Sequence, residues 1–304
     1  MKQIYALIVM LMMASVAFTG CVSDDGDDTD DTVDDTVDPV GTESTSTLDT
    51  VIERGVLKCG VKDSQYGMGY LEADGTYTGL DIEYCKAVAA AIGVDTIEYV
   101  LATGSNRFEL LASEEIDVLI RTTTWTTSRD ADLNADFAGI NFYDGQGMLV
   151  NTDAQPASSV MDLDGATVCV GIGTTTEGNL ADYFNVNDLD YTAVNSADAD
   201  AAKASFTNGE CSAWTGDMSA MVAQKWGLEQ DANNTMSMSI MPELMSKEPL
   251  AAATRDNDDD WNDVVTWVWY GMLTDEELGI DSTNYNCLLY TSDAADERSS
   301  VALG

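Results

Sequence analysis

An α/β fold of two tandem lobes, each a sheet flanked by helices, follows from three features of the 304-residue sequence. Strand and helix signals alternate from Leu48 onward, the alternation restarts at Asp164, and the second run repeats the kind of unit seen in the first. Such alternation predicts a parallel sheet covered by helices. Val56–Val61 reads as a strand with Leu57, Cys59 and Val61 on one face, because alternate side chains share a face. Asp81–Ile92 reads as a helix, with Ile82, Cys85, Val88, Ala89 and Ile92 at helical spacing. Ile97–Leu101 is the next strand, Asn106–Ser113 a short helix and Asp117–Arg121 a further strand.

In the second unit Thr167–Ile172 is a strand, Glu177–Phe184 and Ala199–Phe206 are helices, Cys211–Thr215 is a strand and Asp217–Trp226 a helix. Ser239–Pro249 is expected to cross back, Leu250–Thr254 to rejoin the first lobe as a strand, and Trp261–Leu273 to form an apolar helix whose tryptophans belong to the core. Two connections, near Asp144–Leu149 and Ser246–Leu250, are expected to link the lobes as a hinge.

The ends of the chain read differently. Lys2 followed by the apolar run Ile4–Phe18 has the build of an export signal, and the run is shorter than the roughly 20 residues that span a bilayer. Phe18-Thr19-Gly20-Cys21 resembles a lipobox, so Cys21 is expected to carry lipid at the mature N-terminus; an ordinary signal cleaved near Gly20 is the alternative. From Val22 to about Thr47 a run of aspartates spaced by Thr, Val and Gly offers nothing to bury and repels itself, as an extended tether does. Calcium binding there is weakly supported, since the segment lacks an ordered loop. At the other end, Cys287–Glu297 reads CLLYTSDAADE, which resembles a translated sequencing-library adapter: TGT CTC TTA TAC ACA TCT encodes its first six residues. Residues after Asn286 are therefore set apart from the fold, and the natural chain is expected to continue differently. The expected organisation is a signal over 1–20, a lipidated tether over 21–47, lobe 1 over 48–147, lobe 2 over 148–246, a return to lobe 1 over 247–286, and the foreign tail over 287–304.

Composition excludes several functions. With 54 acidic against 13 basic residues the formal charge is −41, and such a surface repels nucleic acid and anionic lipid. It suits solubility in salty surroundings, and equally an acidic proteome at large, so no function is drawn from it. The absence of histidine removes His-based triads, His zinc sites and His general bases. Setting aside Cys21 and Cys287 leaves Cys59, Cys85, Cys169 and Cys211, an even number in an exported chain. Three pairings are possible; Cys59–Cys85 and Cys169–Cys211, one in each lobe, are favoured over the others and over four buried thiols.

Ligands of parallel α/β lobes sit at the carboxyl ends of strands. Two segments occupy such places. Arg121-Thr-Thr-Thr-Trp-Thr-Thr-Ser-Arg129 is rich in hydroxyls with an arginine at each end, and Gly171-Ile-Gly-Thr-Thr-Thr-Glu177 opens a helix with Thr174 and Glu177 at capping-box spacing. The backbone N–H groups at that helix start suit an anion. Either segment alone is as readily a structural cap.

Together, with LKCGV, TGLDIEYCKAVAAAIG, FYDGQGMLV, DLDGATVCVGIGTTTEGNLADYF, CSAWTGDMSA, SKEPLA and ELGI, they make the chain from Leu48 to Ile280 resemble family 3 extracellular solute-binding proteins, in the general and polar L-amino-acid-binding subgroup of ABC importers. The cysteine positions belong to that resemblance. It implies a two-lobed periplasmic-binding-protein-like fold of type II with a two-strand hinge, an L-amino-acid ligand, an ABC transporter permease as partner, no cofactor or metal, no catalysis, and a monomer held to the membrane outside the cytoplasm by its lipid alone.

It also implies roles. Arg129 takes the ligand α-carboxylate through a planar fork matched to it. Thr122 and Thr124 hold the amino-acid head, Thr175 beside Thr174 donates an N–H to the same carboxylate, and Asp217 pairs with the α-ammonium. Tyr66 is expected as an aromatic wall, and Arg121 and Arg107 as contributors to side-chain selectivity. The competing classes are a ligand-sensing ectodomain and a binding-protein-derived exported dehydratase.

Overall fold

The computed structural model describes residues 46–281 and 283–284. The export signal, Cys21, most of the acidic tether and the adapter-like tail lie outside the described residues. Thr47, placed by the sequence at the end of the tether, instead begins helix α1 (Thr47–Arg54) and is buried. Ser46 caps it by accepting from the Asp49 N–H, and the Thr47 N–H is held by Asp258.

Lobe 1 opens with β1 (Val56–Val61), a small antiparallel sheet of β2 (Ser64–Gln65), β3 (Gly69–Leu71) and β4 (Tyr77–Thr78), then α2 (Leu80–Ala91), β5 (Thr96–Leu101), α3 (Arg107–Ala112), β6 (Val118–Thr124) and α4 (Thr127–Asp132). Strand β7 (Ala135–Asn151) is 17 residues long and runs out of this lobe into the next. Lobe 2 holds β8 (Ala166–Gly171), α5 (Thr175–Val186), β9 (Tyr191–Ser196), α6 (Ala199–Thr207), β10 (Ala213–Asp217), α7 (Met218–Gln230) and β11 (Met238–Ile240). The chain returns through β12 (Lys247–Arg255) and ends its described part with α8 (Asp259–Leu278).

The strands follow the order β5-β1-β6-β12-β7-β10-β8-β9, with β11 against β7. Three strands in each lobe are parallel, as the alternation predicts: β5, β1 and β6 in the first, β10, β8 and β9 in the second. The sheets are nevertheless mixed, because β12 lies antiparallel on β6 and β7 lies antiparallel on β10. Strand β12 contains the expected returning strand Leu250–Thr254, whereas β7, which changes partner along its length, was expected only as a connection near Asp144–Leu149. Residues Ala135–Gly145 of β7 pair with β12, and Gln146–Val150 pair with β10. The partner switch thus falls between Gly145 and Gln146. The other crossing segment runs alongside, with Gln146 N–H donating to Ser246 O and Met245 N–H donating to Gln146 O. A Cβ on Gly145 would stand 2.9 Å from Ser246 O, so the crossing is tight enough to require glycine.

Each lobe carries apolar clusters on both faces of its sheet, the requirement for strands to be covered twice. In lobe 1, Leu57, Ile82, Val118, Ile120, Trp261 and Val265 pack on one side and Leu111, Ile116, Leu119 and Phe137 on the other. In lobe 2, Met148, Val168, Leu180 and Phe184 oppose Leu149, Phe206, Trp214 and Met221. Trp261 and Trp269 are core residues, the former donating its indole N–H to Asp117 O, but Trp267 on the same helix is 69% exposed and does not belong to the core. Disulfides join Cys59 to Cys85 and Cys169 to Cys211, one pinning β1 to α2 and the other β8 to the approach of β10.

A bridge closing 42 residues restricts the unfolded chain strongly. Replacing both Cys169 and Cys211 by alanine is expected to lower the unfolding free energy by about 2–5 kcal/mol. Urea denaturation followed by tryptophan fluorescence checks this; an unchanged midpoint would remove the bridge from the stability of lobe 2.

Candidate ligand-binding site

The six parallel strands of the two lobes send their carboxyl ends to one cavity of about 120 Å3. Lys62 follows β1, Gly104 follows β5, Thr124 ends β6, Gly171 ends β8, Ala197 follows β9 and Asp217 ends β10, and all six line it. That volume has room for roughly ten water-sized positions, and hence for one small solute.

Lobe 1 supplies the cations. Its strand β6 is buried throughout and leads into the hydroxyl-rich turn. Pairing with β12 loses register around Ala251–Ala253, and opposite this irregularity Thr122 adopts φ +44°. A β-branched residue in the left-handed region is strained, and strain of this kind collects where side chains must be aimed. Asp81, buried in the first turn of α2, accepts the Thr122 N–H at 3.1 Å and fixes the turn. The same burial, against the pull of Lys62 and Arg121, lifts the Asp81 carboxyl to about 6. The Thr122 hydroxyl is buried at the cavity without a hydrogen-bond partner among the described residues.

Arg129 stands on α4, whose cap Thr126 accepts the Arg129 N–H. Its Nη1 donates to Thr124 O at 2.8 Å, which points the guanidinium back toward the end of β6. Arg107 and Arg129 both approach the Phe108 ring, their guanidinium carbons 5.2 Å (Arg107) and 5.7 Å (Arg129) from its centroid. Arg121 completes the set from within β6. Burial lowers the pKa of all three, aided for Arg107 by the like charges of Arg121 and Arg129, and brings that of Arg121 down to about 10. Lys62, on the same wall, donates to Gln65 and is pulled down to about 7 by burial and then by Arg121.

Among the described residues none of these four cations forms an ion pair; the ion pairs there join Arg54 to Asp117, Lys86 to Glu83 and Lys225 to Glu229. The Nε atoms of Arg107 and Arg121 are buried without an acceptor among the described residues.

Lobe 2 supplies N–H groups and an acid. Thr174 caps α5, its hydroxyl accepting the Glu177 N–H and donating to Gly171 O. The capping box expected from Thr174 and Glu177 is modified: the Glu177 carboxylate reaches the Gly173 N–H, one residue before the cap. The first-turn N–H groups at Thr175 and Thr176 have no intrahelical acceptor by the geometry of any α-helix. Asp217 ends β10 and precedes α7 without capping it. Burial raises its carboxyl, with Asp144 and Glu248 acting in the same direction and Lys62 and Arg121 against.

The structure thus brings Arg129, Arg121, Arg107, Thr122, Thr124, Thr174, Thr175 and Asp217 to one cavity. It does not bring Tyr66. That ring stacks on Tyr70 at 3.7 Å between centroids, meets Trp226 edge-on at 4.8 Å, and is 37% exposed outside the lining, because the turn after β2 swings it toward α7.

Three lining or bridging residues escaped the sequence. Lys62 and Gln65 follow β1 just where strand ends converge, and that position was a usable signal. Glu248 lies in the quoted SKEPLA stretch and the expected hinge Ser246–Leu250, but as one acid among 54 nothing in its residue type marked it as a bridging residue. It is 1% exposed on β12, and its carboxylate accepts from Thr124 in lobe 1, from Thr175 and Asn179 in lobe 2, and from Ser246 in the crossing segment. Further bonds between the lobes run from Arg107 to Gly173 O, from Gln65 to Ser219 and from Gln224 to Ser64 O.

Two lobes closed over a polar, cation-lined cavity define a solute-binding protein. Residues 57–279 match the family model for bacterial extracellular solute-binding proteins, family 3, and the chain belongs to that family. It is 45% identical over 246 residues to the glutamate/glutamine/aspartate/asparagine-binding protein of Rhodobacter capsulatus, covering 80% of this chain and 71% of that one. It is 40% identical to the general L-amino acid-binding periplasmic protein of Rhizobium johnstonii, over 79% of this chain and 70% of the other. Among solved structures it resembles a periplasmic binding protein of an ABC transporter from Brucella ovis with glutathione bound, at 41% identity and TM-score 0.74, covering 79% and 74% of the two chains. An ancestral arginine-binding protein bound to arginine is similar at 25% identity and TM-score 0.64, covering 73% and 94%.

Removing the Glu248 carboxylate leaves buried donors from both lobes unpaired, at about 1–3 kcal/mol for each group so stranded. Glu248→Ala is expected to enlarge the radius of gyration in small-angle scattering as the lobes part, and Glu248→Gln to do so less. Identical scattering for wild type and Glu248→Ala would show that the carboxylate does not hold the lobes together.

Proposed function

We propose that this chain is an extracytoplasmic lipoprotein that binds an L-amino acid and delivers it to the permease of an ABC importer. The observation that carries the reading is that Arg129 from one lobe and Asp217 from the other line a single cavity and neither forms an ion pair among the described residues. A zwitterion needs a cation at its carboxylate, an anion at its ammonium, and exclusion of water so that both attractions strengthen. The names of the relatives from Rhodobacter and Rhizobium, both amino-acid-binding, support the same class of ligand.

In this reading the α-carboxylate lies between the Arg129 guanidinium and the Thr175 N–H at the start of α5, where the helix dipole favours an anion. The hydroxyls of Thr122 and Thr124 complete its shell; Thr122 Oγ1 is one of the buried atoms left without a partner among the described residues. The α-ammonium sits against Asp217 and keeps that carboxyl ionised although burial alone pushes it toward the neutral form. The ligand joins groups of both lobes, so its binding favours closure about β7 and the segment leading into β12. The lipid on Cys21 and the hand-over to a permease rest on the lipobox-like sequence and the family.

Arg129→Ala is expected to cost about 3–5 kcal/mol of binding, because a buried carboxylate loses its charge partner. Titration calorimetry against the twenty amino acids and glutathione measures this, and an unchanged affinity would take Arg129 out of the site. Asp217→Asn is expected to weaken binding strongly, and an analogue lacking the amino group to bind wild type poorly. Cys21→Ser is expected to move the protein from the membrane to the soluble fraction in a host that processes lipoproteins; retention at the membrane would refute lipid anchoring.

A further inference from the structure

The lobes also meet along a seam at the rim of the cleft. Ser64 and Gln65 of β2, and Tyr66 in the turn after it, lie along α7 of lobe 2. Gln65 donates to the Ser219 hydroxyl at 3.0 Å, and Gln224 donates back to Ser64 O at 3.0 Å. Both amide side chains belong to buried residues, so these bonds form away from bulk water. Asp144 of β7 accepts from the N–H and the hydroxyl of Ser219, which ties the head of α7 to the crossing strand.

About two helical turns further along α7 the seam changes from polar to aromatic. Tyr66 meets Trp226 edge-on, stacks on Tyr70 of β3 and donates its hydroxyl hydrogen to the Tyr70 oxygen. Edge-on and stacked pairs are the favoured arrangements of aromatic rings. The Tyr66 ring also lies against Gly227, where a Cβ would stand 3.3 Å from Tyr66 Cε2, tighter than such atoms usually pack. Glycine is a poor helix former, and α7 carries one where this ring meets its backbone.

Ser64, Gln65 and Gln224 line the cavity, whereas Tyr66, Tyr70 and Trp226 do not. Tyr66 and Trp226 are 37% and 49% exposed, as rings at the edge of a cleft are. Their contact joins two lobes and touches nothing in the cavity. It therefore stabilises the closed arrangement whatever the cavity holds. A ligand that needs the closed form gains affinity in proportion to the population of that form, so every such ligand gains the same factor.

We propose that Tyr66, Tyr70 and Trp226 form an aromatic latch across the mouth of the cleft, which sets the balance between open and closed lobes independently of the ligand. The latch itself does not require the amino-acid reading above; only its effect on affinity rests on that reading.

Small-angle scattering of the ligand-free full chain tests the latch directly. Tyr66→Ala, Trp226→Ala and Gly227→Leu are each expected to enlarge the radius of gyration. The last places a good helix former beneath the ring, so it wedges the seam without weakening α7. Titration calorimetry with the amino acids that bind is the second arm. Tyr66→Ala is expected to weaken all of them at least threefold, and by factors that agree within twofold. Scattering unchanged in all three variants overturns the latch. Unchanged affinities overturn it too, and so do losses confined to some amino acids, because Tyr66 would then be a ligand contact. Should no amino acid bind the wild type, the function proposed above fails and scattering alone decides the latch. Should circular dichroism show one variant unfolded, the other two decide.

Discussion

Buried positive charge without a fixed negative partner is the constraint around which this molecule is organised. An arginine taken out of water is tolerated only where donors find acceptors and a counter-charge is near. Here three arginines and a lysine share one cavity, and the acids that moderate them, Asp81 and Asp217 first among them, act through space and not through contact. Such an arrangement is unfavourable in itself. The scaffold must therefore be stable on other grounds: four apolar clusters, two disulfides and a helix, α8, that closes lobe 1 with Trp261 and Trp269. The electrostatic deficit left in the cavity is what gives an anionic group its reason to bind.

The same constraint explains the crossing strands. A site that must exclude water yet admit a solute needs walls that separate and meet again. The continuous strand β7 serves one lobe with its first half and the other with its second, so a small change near Gly145 and Gln146 moves whole lobes without breaking either sheet. Gln146 is fully buried there, donating to Thr176 O and to the Thr215 hydroxyl, which ties the crossing to the start of α5. Glu248, just inside the second crossing strand, gathers hydroxyls and an amide from both sides. Hinge and binding wall thus share residues. Thr124 and Thr175 are bonded to Glu248 and line the cavity, so what occupies the cavity and how the lobes stand are coupled through the same two hydroxyls.

What the sequence revealed follows from which signals are local. The strand Val56–Val61 and the helix around Asp81–Ala91 were readable because periodicity and burial coincide there, and the Cys59–Cys85 bridge follows from their packing. The segment 135–151 was not readable as one strand. Its burial alternates only in part, Gly139, Gly145 and Gly147 interrupt its β-propensity, and its two halves are stabilised by partners far away in the chain. The same distinction holds at the site. Arg129 and the Gly171–Glu177 turn carry their chemistry in a local pattern. Tyr66 was misplaced because the direction of a short turn depends on contacts with Trp226, 160 residues away in sequence. Glu248 was invisible because only its surroundings distinguish it from any surface acid.

A net charge of −41 and a cationic cavity oppose each other only at long range. In salt of about 0.1 M the Debye length is near 10 Å, so surface carboxylates beyond that distance act weakly on a ligand at the cleft. Buried charges are screened far less, and the guanidiniums act within hydrogen-bond reach at a lower effective dielectric. The acidic surface therefore governs how the protein behaves toward other large anions and toward its solvent, while the few arginines govern what it holds. A chain with 13 basic residues that commits four of them to one cavity has set its local field against its global one, and the local field decides binding because water and salt screen it far less.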